Sequence, residues 1–203
     1  MRPVIRKQPL LAALAAIGLA ASAFAAAPGS KAPAFTVTDL SGKPVSLDAL
    51  NGKWVALEWT NPECPFVQKH YGAGNMQASQ KYAADNQIVW VQINSTHPQH
   101  KDYHNPQKMR EWNTAMKAVA AHATLDESGA TGKAYGAKTT PHLYLIDPTG
   151  KLVYNGAIDD RRSSDPADIP GARNHIRMAM SEVLAGKPVS VAVTTPYGCS
   201  IKY

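Results

Sequence analysis

Two cysteines, Cys64 and Cys199, are the only thiols in this chain of 203 residues, and their settings differ. Cys64 lies in Trp59-Thr60-Asn61-Pro62-Glu63-Cys64-Pro65-Phe66-Val67, after an apolar run and ahead of a helical pattern. A thiol at a helix start faces unpaired backbone N–H groups and the positive end of the helix dipole, which favours the nucleophilic thiolate. Pro65 suits the first helical turn because it has no N–H to leave unsatisfied. Thr60 and Asn61 lie close enough in sequence to add polar contacts. The competing reading of Cys64 is a small buried hydrophobe. Cys199 belongs to a tail, Pro196-Tyr197-Gly198-Cys199-Ser200-Ile201-Lys202, in which Pro196 and Gly198 weaken any regular strand. A tail thiol can reach back to a distant sulfur and resolve a mixed disulfide or a sulfenic acid. A static Cys64–Cys199 disulfide that pins the tail is an alternative, contributing about 4–5 kcal/mol on the chain-entropy account of so large a ring. Separate, unpaired roles are a third.

Thr140-Pro141 ahead of a strand is a second locus. An X-Pro bond there is a candidate for the cis form, or an ordinary trans proline tolerated at a strand start. His142 follows directly, so it is a candidate to tune a thiol or carry a proton, with a satisfied strand histidine as the alternative. His97, His100 and His104 share a polar loop whose spacing would permit a metal such as copper. An exposed loop explains the same residues, so no metal and no cofactor are expected.

The elements that must hold these residues follow from periodicity and turn residues. Phe35 to Leu47 alternates around Ser41-Gly42 and predicts a hairpin. Lys53–Thr60 predicts a strand and Pro65 to about Ala84 a helix, interrupted near Gly72 and Gly74. Gln87–Ser95 is rich in β-branched residues and predicts a strand. A helix is expected from Lys108 to His122, with Met109, Trp112, Met116 and Val119 as its apolar stripe. A short helix is expected at Ala130–Tyr135, then strands at His142–Ile146 and Leu152–Ala157 joined by Asp147-Pro148-Thr149-Gly150. Asp168–Leu184 predicts the last helix, closed by Gly186. Trp54, Trp59, Trp90, Trp112 and Tyr144 fall at core positions. Asp159–Asp168 mixes charges with turn residues and predicts a solvated loop. The order implies an α/β class, a central mixed sheet flanked by helices with an N-terminal hairpin and an extended C-terminal tail.

Arg2, Arg6 and Lys7 precede an uncharged apolar run, Leu10–Ala25, that ends in Ala23-Phe24-Ala25. This predicts a signal peptide over residues 1–25, cleaved after Ala25 or Ala27, and hence periplasmic or secreted localisation with no membrane anchor after cleavage. Loss of those three basic residues takes the formal net charge from +6 to about +3, too little to imply nucleic acid. An oxidising compartment lets two cysteines persist as a disulfide.

The strand-to-helix cysteine, Thr140-Pro141 and "GKAYGAKTTPHLYLID" followed by "GKLVYNGAIDD" together resemble the thioredoxin-like fold. Within it they resemble the peroxiredoxin-related alkyl hydroperoxide reductase/thiol-specific antioxidant, or redoxin, domains. The resemblance covers residues 33–203, including the tail 187–203. Cys-Pro-Phe-Val and the terminal Gly-Cys-Ser-Ile-Lys are similar to a peroxiredoxin-like subgroup. The resemblance implies a redox centre at Cys64, a cis-proline loop at Thr140-Pro141 facing it, and a groove shaped by Pro141 that pairs with an extended peptide. It implies an exported thiol–disulfide oxidoreductase with Cys64 as nucleophile and Cys199 as resolving partner. Its partners would be a protein or small-molecule thiol or disulfide and an unidentified electron donor. The alternatives are a thiol peroxidase with antioxidant activity, and a non-catalytic binding or copper-handling protein with a structural Cys64–Cys199 disulfide. Departures from the pattern are specific. No Cys-x-x-Cys is present: with Cys64 as the first member Val67 stands at the second place, and with Cys64 as the second member Asn61 stands at the first. Asn61 also stands where peroxiredoxins carry threonine or serine; for the later arginine that they use to activate peroxide, Arg110 lies in the wrong kind of segment, and Arg161 and Arg162 serve only if their loop folds back.

Overall fold

The computed structural model describes residues 26–203, so the expected signal peptide lies outside the described residues. The sheet is built from β1 (Thr36–Asp39), β2 (Pro44–Ser46), β3 (Val55–Trp59), β4 (Val89–Asn94), β5 (His122–Leu125), β7 (His142–Ile146) and β8 (Leu152–Gly156). Their order is β2-β1-β5-β4-β3-β7-β8. β3, β4 and β5 run parallel, while β7 is antiparallel to β3 and β8 antiparallel to β7. A separate two-stranded ribbon joins β6 (Thr139–Thr140) to β9 (Cys199–Ser200).

β3 is buried along its whole length because it is central and both faces are covered. Strand alternation sends Val55, Leu57 and Trp59 to one core with Phe35, Ile93, Tyr135 and Tyr144. Ala56 goes to the other core, with Val67, Tyr71, Trp90, Leu145 and Met180. The second core is roofed by α1 (Pro65–Gly72), α2 (Asn75–Asp85) and α5 (His175–Leu184). α3 (Pro106–Ala115) joins the same side, its Trp112 ring meeting Tyr71 edge-on at 4.6 Å. α4 (Ala130–Tyr135) covers the first core through Tyr135.

The expected break near Gly72 and Gly74 falls between α1 and α2, where Gly74 takes φ +72°. Two helices differ in their bounds from the sequence expectation. The helix expected to run to His122 stops at Ala115, Lys117 turns to φ 53°, and His122–Leu125 becomes β5. It also starts earlier, because Asn105 caps the Lys108 N–H at 2.9 Å and Pro106 fits the first turn. Tertiary pairing with β4 and β1 takes His122–Leu125 into the sheet, which overrides the end of the expected helix. The helix expected from Asp168 is instead a short 3-10 turn, Pro166–Gly171. Pro170 and Gly171 end it, and Asn174 caps a new start by accepting from the Arg177 N–H.

Candidate active site

Cys64 is the residue immediately before α1, in extended conformation, with Pro65 in the first helical position. Its backbone N–H donates to Asn61 O at 3.1 Å, and Asn61 Oδ1 accepts from the Glu63 N–H at 2.7 Å. The tight Asn61–Cys64 turn is therefore fixed by Asn61 itself. The Asn61 Nδ2 group donates to Thr96 Oγ1 at 2.7 Å and ties this turn to the loop after β4.

The Cys64 side chain does not cap the helix. Its thiol is buried and donates instead to the Thr140 carbonyl oxygen, 3.0 Å away. The sequence places this sulfur at the helix start, but the cis-proline loop decides where it points. The Thr140–Pro141 peptide is cis. Both cysteines are free thiols here, Cys64 buried and Cys199 half-buried.

The tail brings Cys199 to the same place. β9 pairs antiparallel with β6, with Cys199 opposite Thr140 and Ser200 opposite Thr139. Gly198 takes φ +135°, a region that favours glycine, and a Cβ there would collide with the Thr140 carbonyl. Burial pushes the Cys199 thiol up to about 12, helped by a hydrogen bond with Cys64 and by the charge Cys64 would carry. In this arrangement Cys199 is held as the neutral thiol.

Interactions on both sides hold the tail. Upstream, the Tyr197 hydroxyl is in a buried cluster where it donates to Asp159 and meets His70 Nε2 at 3.1 Å. His70 Nδ1 accepts from Asn75 Nδ2 at 2.9 Å, so the ring is the neutral Nε2–H tautomer; burial, then the Lys69 charge, lower it to about 3. Downstream, Ile201 N–H donates to Lys138 O and His97 N–H to Lys202 O. The Tyr203 ring lies against Gly129 and Gly132, where a Cβ would meet it at 2.5 Å, and its hydroxyl donates to Ala137 O at 2.8 Å.

A cavity of about 110 Å³ adjoins both sulfurs, with Thr60, Asn61, Thr140 and Lys202 in its wall. Beneath Thr60, on the same face of β3, the buried Glu58 carboxyl accepts from Tyr71 at 2.8 Å, Trp90 at 2.8 Å and Gln80 at 3.1 Å. Burial raises Glu58 to about 7 against the opposing pull of those donors.

His142 is not brought to Cys64. It pairs with Trp59 in the β3–β7 register, and strand alternation turns it to the opposite face, against the Tyr144 ring. Its Nε2–H donates to Asn155 Oδ1 at 2.8 Å, its Nδ1 accepts from the Lys138 N–H at 3.2 Å, and burial lowers it to about 4. The loop histidines have separate local partners: His97 Nδ1 accepts from Gln99 N–H, His100 Nδ1 from Asp102 N–H, and His104 Nε2 meets Glu63 at 2.7 Å. Among the described residues no three His, Cys, Asp or Glu groups converge as a metal site. Arg110 is engaged with the Leu40 carbonyl and Arg161 with Asp160, while among the described residues Lys202 is the cation in the cavity wall beside the cysteines. Sequence reasoning missed Lys202, Thr96 and the Tyr197–Asp159–His70 cluster. Asp159, expected in a solvated loop, is buried. Only the Gly-Cys tail motif hinted at any of these.

A central mixed sheet with a cysteine at the β3–α1 junction and a cis-proline loop against it defines a thioredoxin-like protein. Residues 28–155 match the AhpC/TSA family, and the chain belongs to that family. It is similar to the thiol-disulfide oxidoreductase ResA of Bacillus thuringiensis subsp. konkukian, 26% identical over 125 residues. That match covers 62% of this chain and 66% of ResA, just under two thirds of the relative's length. The crystal structure of an uncharacterised conserved protein from Geobacillus kaustophilus superposes with TM-score 0.76 at 25% identity, covering 88% of this chain and 93% of that one. The thioredoxin domain of a thiol-disulfide oxidoreductase from Bacteroides vulgatus superposes at 0.51 and 22% identity, over 71% of this chain and 96% of that one, and attests to the fold alone.

Proposed function

We propose that this chain is an exported thiol–disulfide oxidoreductase in which Cys64 is the attacking thiol and Cys199 resolves. One observation carries the reading. Cys199 stands opposite Thr140 in the β6–β9 ribbon, and the Thr140 carbonyl accepts the Cys64 thiol, so one residue ties both sulfurs to a single locus. The Cys64 thiolate attacks one sulfur of R–S–S–R, that bond breaks, and R–S⁻ leaves and takes up the proton Cys64 lost. Cys199 then gives up its proton and attacks the Cys64 sulfur of the mixed disulfide. A second R–SH leaves with that proton, and the protein holds a Cys64–Cys199 disulfide. A dithiol donor restores the reduced state by the reverse exchange. Thr60, Asn61 and Thr140 line the reaction space, and Pro65 and Pro141 hold the backbone of its two walls. The similarity to ResA supports the reaction class.

The basic, apolar and small-residue order of residues 1–25 supports export before cleavage. N-terminal sequencing of the extracytoplasmic fraction should start after Ala25 or Ala27; retention in the cytoplasm with Met1 intact defeats that part. For the chemistry, reduced protein is equilibrated in graded thiol–disulfide buffers and quenched for mass spectrometry. The expected result is a reversible intramolecular Cys64–Cys199 disulfide, and accumulation of a Cys64 mixed disulfide in Cys199→Ser. Two cysteines that stay reduced across the whole range would overturn the reading, as would a bond that opens only on unfolding.

A further inference from the structure

The tail occupies the β6 backbone edge beside Cys64, on which an extended peptide could otherwise pair. The β6 groups that a peptide strand would use are taken by β9, in the Thr139–Ser200 and Thr140–Cys199 pairs. The occupant is also the residue that must finish the reaction. A peptide that displaced β9 would carry Cys199 away from the Cys64 sulfur and leave its own mixed disulfide unresolved. Engagement of a peptide strand on β6 and resolution by Cys199 therefore exclude each other. The cost of displacement is set by anchors at both ends of the tail: Tyr197 in its cluster with His70 and Asp159, and Tyr203 against Gly129 and Gly132.

What remains with β9 in place is the cavity of about 110 Å³. Thr60 and Thr140 line it, and the Thr140 Oγ1 is buried without a hydrogen-bond partner. Buried hydroxyls without partners are uncommon and mark a place where a ligand or solvent oxygen is accommodated. The space beside the Cys64 sulfur takes a few heavy atoms rather than a peptide.

Resting on the thiol–disulfide reading above, we infer that the physiological oxidant of Cys64 is a low-molecular-weight disulfide. One half of it enters beside Thr60 and Thr140 while β9 stays paired. The step balances as already written: one R–S–S–R is reduced to two R–SH, and the two protein thiols become one disulfide. The tail thus acts as a size filter and as the resolving arm at once.

The test uses full-length Cys199→Ser, in which the reaction stops at the mixed disulfide, followed by mass spectrometry after timed quenching. Hydroxyethyl disulfide is compared with an eight-residue extended peptide carrying a mixed disulfide to the same small thiol. The small disulfide is expected to modify Cys64 at least tenfold faster than the peptide. In Cys199→Ser/Gly198→Val the added side chain has no room against Thr140, so β9 leaves β6; the peptide rate should then rise at least tenfold relative to the small-disulfide rate. Should that variant fail to fold, the comparison on Cys199→Ser alone decides. Peptide and small disulfide reacting equally fast with the tail docked would overturn the inference and leave the oxidoreductase reading standing. Neither disulfide reacting, with hydrogen peroxide alone oxidising Cys64, would overturn both.

Discussion

Cys199 lies directly across the β6–β9 ribbon from Thr140, the residue whose carbonyl accepts the Cys64 thiol at 3.0 Å. In a Cys-x-x-Cys protein the second thiol rides on the same helix as the first. Here it arrives on a separate strand, so the site is assembled from the β3–α1 junction, the cis-proline loop and the C-terminus. On the proposed function, anything that loosens the tail should act on chemistry as well as on stability.

Tyr197→Phe removes the hydroxyl that bridges His70 and Asp159, two buried groups. Leaving their polar atoms unsatisfied should cost about 1–3 kcal/mol, read from urea denaturation. Oxidation to the Cys64–Cys199 disulfide should also slow, because the residue lies two positions before Cys199. Unchanged stability and oxidation rate would remove Tyr197 as an anchor.

Tyr203→Ala deletes a ring packed on Gly129 and Gly132 and a hydrogen bond to the Ala137 carbonyl. The side chain is partly exposed, so the expected loss is about 1–2 kcal/mol. Amide exchange at Ile201, whose N–H donates to Lys138 O, should accelerate more than exchange in β3. Equal protection in wild type and variant would contradict the anchoring role.

Cys199 is pushed up to about 12 by burial and by Cys64. At pH 8 its alkylation by iodoacetamide in the folded, reduced protein should run roughly 100-fold or more below that in the urea-unfolded chain. Peptide mapping of the alkylated Cys199 checks this. A Cys64→Ser variant should narrow the gap, since one cause of the shift is removed.

Three buried groups set the pH dependence of stability. His70 and His142 are held down at about 3 and about 4, so their contribution is complete above their unfolded value of 6.5 and is lost as pH falls toward those values. Glu58 is raised from 4.5 to about 7, so its contribution is complete below 4.5 and is lost as pH rises through 7. Between pH 4.5 and 6.5 the unfolded chain binds two more protons at the histidines and one fewer at Glu58. Stability should therefore climb by about 1.4 kcal/mol per pH unit there, peak near pH 6.5 and fall slightly to a plateau above 7. Glu58→Gln should about double the climb and abolish the fall. Urea midpoints at half-unit pH steps read both, and a flat profile in wild type would refute the assignment.

The local parts of this protein were legible in the amino-acid order because local physics fixes them. The apolar run Val55–Trp59, the Asn61–Pro65 turn and the glycine-marked break between α1 and α2 need only periodicity, proline and glycine to be read. The family resemblance added the cis-proline loop. β5 was not legible, since His122–Leu125 is too short to carry a strand pattern of its own and is drawn into the sheet by β4 and β1. The sequence by itself determined that a single thiol sits at a strand-to-helix junction and that its counterpart lies in a glycine-bearing tail. Only the tertiary structure decided that His142 turns away from the sulfur, that Lys202 is its neighbouring cation and that Asp159 is buried under Tyr197. The same holds for the occupation of the β6 edge by β9. Those outcomes depend on hydrogen bonds between segments far apart in the chain, and no residue spacing encodes which edge a tail will cover.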